Sequence, residues 1–258
     1  MPENDLNLLI EAAKAAGEIA TPFWRQTPQT WEKEAGAGPV SEADLAVNDM
    51  LKDRLLGARP GYGWLSEETE DNTDRLSCDR VFIIDPIDGT RSFIAGERIW
   101  AHSLAIAQAG QIIAAVIYLP LRDKLYTARS GNGAHLNGKP VQPSGRNEID
   151  EARVLSTKPN FDASHWPGGI PKIQRHFRAS LAYRLALVAE GRFDAMITFR
   201  DTWEWDVAAG TLIATEAGAA VTDRQGSTPS FNNSHPALAG LLVGTDAVHK
   251  GLLRQILV

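Results

Sequence analysis

The chain has 258 residues, 43% of them apolar and 22% charged, with a net charge of −6. That is the balance of an ordinary globular protein with room for one large or two modest domains. The acidic balance and the lack of any long Lys/Arg run exclude a groove that holds nucleic acid by charge, but not a small anionic substrate, because bound cations invert a local field.

Cys78 is the single cysteine, which rules out an intrachain disulfide and a cysteine-based zinc site. Glu3 and Asp5 stand where a secretory leader would be basic, and no apolar run reaches the length of a membrane span. The expected compartment is the cytoplasm. In chain order, Leu6, Leu9, Ile10, Ala13, Ala16 and Ile19 recur at helical spacing and predict a helix over 5–24. A polar, glycine-containing stretch follows to Pro39. A second helix is predicted over 41–56, with Ser41 as cap and Asp44 at the capping-box position. Val81–Ile84 reads as a buried strand that ends in acidic residues. Two strands over 103–108 and 111–118, joined at Ala109-Gly110, read as a hairpin, and 125–128 extends it. Residues 131–138 turn repeatedly, and the polar stretch 140–150 is the expected boundary, dividing the chain into 1–145 and 146–258.

The second half alternates: strand 154–157, helix 180–190, strand 195–199, helix 205–217 stopped by Gly218, strands 219–222 and 238–243, helix 247–257. The class expected is α/β, an α+β half followed by an α/β half.

The chemistry concentrates in Asp85-Pro86-Ile87-Asp88-Gly89-Thr90. Two carboxylates stand three residues apart just past a strand. Pro86 stiffens the turn, and Gly89 lets backbone approach a ligand. Asp88-Gly89-Thr90 could open a helix with free N–H groups facing a phosphate. Oxygen donors of this kind suit magnesium better than zinc. Taken alone, the run is better explained as a turn. Asp44 is explained as a cap, Glu67-Glu68 as a solvated acidic loop, and Asp206 as an acidic residue at a helix start. Spacing does not bring these four places together.

Four ordered blocks do. Val40-Ser41-Glu42-Ala43-Asp44, Leu65-Ser66-Glu67-Glu68, Asp85 to Thr90 with Phe93, and Trp205-Asp206-Val207-Ala208-Ala209-Gly210 with Glu216-Ala217-Gly218 resemble the inositol monophosphatase superfamily along nearly the whole chain. Ser66 stands where glycine is usual. The resemblance implies a layered α/β/α/β/α sandwich and a lithium-sensitive, magnesium-dependent phosphomonoesterase that uses a metal-activated water. It implies that Glu67, Asp85 and the Ile87 carbonyl hold one magnesium, and that Asp85, Asp88 and Asp206 hold a second. A third, weaker ion near Glu67 is common in the family. Thr90, bonded to Asp44, would orient the water, and Gly89 and Thr90 N–H groups would bind phosphate. A homodimer is also implied.

Substrate choice is read from departures. Phe199 stands seven residues before Asp206, where inositol phosphatases carry a glutamate for the inositol hydroxyls. Thr202-Trp203-Glu204-Trp205-Asp206 and the helix 180–190 resemble the 3′(2′),5′-bisphosphate nucleotidases, with Arg184 placed to meet a second phosphate and Arg91 adding charge. The expected substrate is adenosine 3′,5′-bisphosphate; the alternative is inositol 1-phosphate or a related sugar or histidinol phosphate. Gly133 to Pro140 nearly spells a nucleotide-binding P-loop, but Pro140 supplies no hydroxyl for magnesium. A non-catalytic scaffold would usually have lost a metal carboxylate, and all four are present.

Overall fold

The computed structural model describes residues 2–26, 28–33 and 38–256. Two sheets separate three layers of helix. A seven-stranded sheet runs in the order 63–66, 80–88, 101–108, 111–119, 124–129, 134–136, 139–140; its first pair is parallel and the rest antiparallel. A five-stranded sheet runs 174–176, 153–155, 195–198, 241–244, 220–222, parallel across its first three strands and antiparallel beyond.

Helices α1 (Pro2–Phe23) and α2 (Glu42–Ala58) cover the outer face of the larger sheet. Leu9, Ala13, Val47 and Leu51 there meet Phe82, Ile84, Leu104 and Val116. A short helix, α3 (Thr90–Ile94), leaves the end of strand 80–88. Helices α4 (Leu181–Ala189) and α5 (Glu204–Ala217) fill the space between the sheets. Their Leu185, Leu187, Val207 and Ile213 share one core with Ile83, Ala105 and Ile117 of one sheet and Met196 and Val243 of the other. Helix α6 (Asp246–Ile256) packs Val248 and Leu252 on the far face, against Val154, Ile197 and Leu242. The sandwich is therefore α/β/α/β/α. No helix of the described residues is long and apolar enough to cross a membrane.

Two predicted boundaries move for physical reasons. The strand expected to stop at Ile84 runs to Asp88, because its partner strand resumes pairing at Asp88↔Ala101 after a register shift. The shift falls where Pro86 cannot donate to the ladder. The strand expected over 238–243 breaks into 237–238 and 241–244 at Gly240, φ +69°, where a Cβ would lie 2.5 Å from the Thr198 carbonyl. The polar stretch before Pro39 carries a small hairpin, Thr30–Glu32 paired with Pro39–Ser41. Leu257, the predicted end of the last helix, lies outside the described residues. The P-loop-like run is no phosphate cradle: it forms two short strands around an Asn137-Gly138 turn, and the Gly133 N–H donates to the Glu216 carboxylate at 2.8 Å.

Candidate active site

The acidic run leaves the sheet at the mouth of a cleft of about 730 Å³. Asp85 is the last paired residue before the register shift in its strand and is buried. Glu67 follows the neighbouring parallel strand, and its N–H donates to Ile84 O at 3.2 Å. Asp206 comes from the first turn of α5, which threads between the sheets. One carboxylate oxygen from each of Glu67, Asp85 and Asp206 lies within 4.8 Å of the other two. The fold thus gathers residues far apart in the chain, Glu67 and Asp206 among them, into one all-oxygen cluster.

Burial first, then repulsion from Glu67 and Asp88, holds the Asp85 carboxyl well above the usual carboxylate range. Burial and the Asp88 charge do the same to Asp206. Asp85 Oδ1 is buried with no hydrogen-bond partner among the described residues. A crowd of carboxylates with an orphaned acceptor at its centre fits a bound cation, and hard oxygen donors fit magnesium.

Asp88 is placed differently from the other three. Its oxygens accept from Ser180 Oγ at 2.6 Å, Ala182 N at 2.6 Å and Leu181 N at 3.2 Å, so it caps α4. Burial raises its pKa to about 6 against these bonds. A carboxylate oxygen has a second lone pair, so capping leaves Asp88 acceptor capacity toward Asp85 and Asp206. Gly89, φ +98°, turns the chain tightly into α3, and a Cβ there would lie 3.2 Å from Ile99 O. Thr90 Oγ1 lies 3.1 Å from Asp44 Oδ1 and 3.0 Å from Ile87 O. Asp44 is buried, and desolvation raises its pKa to about 6. At the rim, Lys33 donates to Glu67 at 2.7 Å and to Glu68 at 2.6 Å.

His102, Thr198, Arg200 and Phe177, which the sequence did not single out, also belong to the site. His102 is buried behind the acidic run, with Nδ1 against Pro86 O. Burial lowers its pKa to about 4, so it is a neutral brace for that peptide. Thr198, Arg200, Phe177 and Trp203 line the cleft together with Arg91 and Arg184. Thr198, not Phe199, is the cleft residue at that strand end. Phe199 turns into the outer core, its ring 4.9 Å from His165 and 5.6 Å from Trp166. Thr202 and Glu204 also miss the cleft. Glu204 is fully buried and accepts from Asn232 N at 2.7 Å and from Asn233 N at 2.9 Å.

The chain matches the model of the "Inositol monophosphatase family" over residues 1–257. The chain belongs to the inositol monophosphatase family. An inositol-1-monophosphatase of Rhizobium meliloti is 34% identical, over 97% of this chain and 95% of that protein. A histidinol-phosphatase of Chlorobaculum parvum is 30% identical, over 98% and 96%. The crystal structure of the extragenic suppressor protein suhB from Bartonella henselae superposes with a TM-score of 0.85, at 28% identity and 98% coverage of both chains. Members of this family are metal-dependent phosphatases, typically using magnesium, and this chain is a phosphoric monoester hydrolase of that kind.

Proposed function

We propose that the chain hydrolyses the phosphate monoester of a small polyol-like alcohol in a magnesium-dependent reaction. The carrying observation is the convergence of Glu67, Asp85 and Asp206 around the unpartnered Asp85 Oδ1. These three, with Asp88 and the Ile87 carbonyl, would hold the magnesium; two ions, lithium sensitivity and a homodimer are proposed with it, from the sequence resemblance alone. When bound, magnesium supplies an acidified water and neutralises charge on the phosphoryl oxygens.

The protein's own groups do the rest. Thr90 donates its hydroxyl hydrogen bond to Asp44 or Ile87 O, which leaves an oxygen lone pair free to orient a water. Gly89 and Thr90 N–H groups, at the start of α3, are proposed to hold phosphate oxygens. Arg91 adds positive charge beside them. The names of the relatives support a polyol or amino-alcohol phosphate. A second reading, adenosine 3′,5′-bisphosphate, keeps Arg184 on the cleft wall in its favour but loses Thr202 and Glu204 to the scaffold.

The test is magnesium-dependent release of phosphate from a panel of esters by the wild type and by Asp85→Asn. Turnover should vanish in the variant and in excess chelator. Near-normal magnesium-dependent turnover by Asp85→Asn would sink the assignment.

A further inference from the structure

Strand 101–108 sends Leu104 and Ile106 to the outer core, which they share with Leu9 and Val47. Side chains alternate along a strand, so His102 falls on that same apolar face. It is fully buried among rings, with the Trp100 centroid at 5.5 Å and the Tyr118 centroid at 6.3 Å. Trp100 in turn meets Phe93 of α3 edge-on at 5.0 Å. An imidazole in such surroundings is costly unless its polar atoms find partners. Among the described residues Nδ1 has one, the Pro86 carbonyl, and Nε2 has none. A carbonyl only accepts, so Nδ1 carries the proton and Nε2 is bare.

The choice of partner follows from the register. Asp85 pairs with Ser103 and Asp88 with Ala101, so Pro86 and Ile87 together stand opposite His102. That is a β-bulge, and a bulge leaves backbone groups without their ladder partners. The buried Pro86 carbonyl is one such group, and a buried backbone acceptor needs a bond. The His102 side chain supplies the bond that the ladder drops. One residue on, the Ile87 carbonyl accepts from Thr90, which lines the cleft. The peptide planes of these two carbonyls hinge at the Ile87 Cα, and the Ile87 side chain is itself fully buried in the outer core. With the first plane bonded and the hinge packed, the second plane has little freedom left.

Resting on the magnesium-phosphatase reading, we propose that His102 is a positioning residue for the metal: by holding the bulge in one shape it aims the Ile87 carbonyl and Asp88 at the acidic cluster and so sets magnesium affinity. It touches neither substrate nor cation. Its influence passes through the Pro86 carbonyl alone, which makes the Nδ1–H donor, and not the bulk of the ring, the feature that matters.

Calorimetric titration of the substrate-free enzyme with magnesium chloride tests this. His102→Leu keeps similar bulk but loses the donor. It should raise the magnesium Kd about tenfold or more, the usual effect of removing a group that orients a metal ligand. The magnesium concentration that half-saturates turnover should rise by a similar factor. His102→Asn presents an amide N–H where Nδ1 stood and should recover most of the affinity. A role in packing alone would instead lower Tm in chelator and leave the Kd unchanged. A wild-type Kd in His102→Leu, or equal weakening in the Leu and Asn variants, overturns the proposal while the phosphatase reading stands. Should His102→Leu not fold, the nitrogen NMR signals of the wild-type imidazole decide. A neutral Nδ1–H tautomer whose signals shift as magnesium saturates the enzyme supports the proposal. An Nε2–H tautomer, or signals that magnesium leaves unmoved, refutes it. A wild type that binds no magnesium and releases no phosphate refutes the phosphatase reading, and this proposal with it.

Discussion

Asp44 does two things with its two oxygens. Oδ2 accepts from the Ser41 N–H at 2.9 Å and Oγ at 2.5 Å, holding the start of α2, while Oδ1 faces Thr90. The residue that caps α2 is also the one proposed to partner Thr90. Asp88 repeats the pattern at the start of α4. Asp44 and Asp88 are thus anchored to helix N-termini, whose free N–H groups favour negative charge. Asp85 has no such anchor. Its burial among Glu67, Asp88 and Asp206 is a standing cost in the metal-free protein. Asp85→Asn should therefore do opposite things to activity and stability. It should abolish turnover, yet stabilise the magnesium-free protein by about 1–3 kcal/mol at neutral pH, the scale of a buried polar penalty removed. Thermal melting in chelator checks this, and an unchanged or lower Tm would show that the cluster is not under strain.

At the scale of elements, α5 is where fold and site meet. Gly210 lies one helical turn beyond Asp206, on the same face. A Cβ there would come within 2.3 Å of Leu185 Cδ1 on α4. Gly210→Ala gains helix propensity but overpacks this contact. The net expectation is a loss of about 1–3 kcal/mol in denaturant unfolding, with a fall in kcat as Asp206 shifts. A variant as stable as wild type would mean that the helices part freely.

Elements set by local rules were legible in the chain. Ala109-Gly110 signals a hairpin turn, and Gln108 pairs with Gln111 around two residues of positive φ, +48° and +77°. Helix α5 stops at Gly218 because a left-handed residue, φ +100°, closes it. The carboxylate cluster was legible only through family blocks, because the contacts joining Glu67, Asp85 and Asp206 are tertiary and leave no periodic trace. The cleft wall was the least legible. Arg200 follows a short strand, and Phe177 lies in a segment whose strand, 174–176, pairs parallel at a sheet edge. Neither carries a local signal. Thr202 and Glu204, part of the run that resembles the bisphosphate nucleotidases, tie α5 to strand 237–238 and to the loop at 232–233.

Over the whole molecule, the sheets share one core but meet at a focus of like charge, and that fixes the pH response. Folding raises the Asp44 and Asp88 pKa values from 3.8 to about 6 and that of Glu68 from 4.5 to about 7, through burial in each case. Asp85 and Asp206 move in the same direction. The folded state then binds more protons than the unfolded state between the ordinary carboxylate range and pH about 7, so stability falls as pH rises through that window. Asp194 opposes this at the acid end. Burial pushes it up, but bonds from Ser144 and Arg153 outweigh that and hold it below 3.8. The Tm of the magnesium-free protein should decline from pH about 4.5 to 7, and saturating magnesium should flatten or reverse the slope. A metal-free Tm that climbs steadily over that range would contradict the site's electrostatics.

Trp203 and Trp205 stack at 5.0 Å with their planes 12° apart. Trp203 faces the cleft and Trp205 adjoins Asp206. Indoles held this way absorb as a coupled pair, and their near-ultraviolet circular dichroism reports the angle between the rings. The protein therefore carries an optical gauge at the doorway of its cleft: an aromatic or charged guest that touches Trp203 should register as a change in that signal without any label.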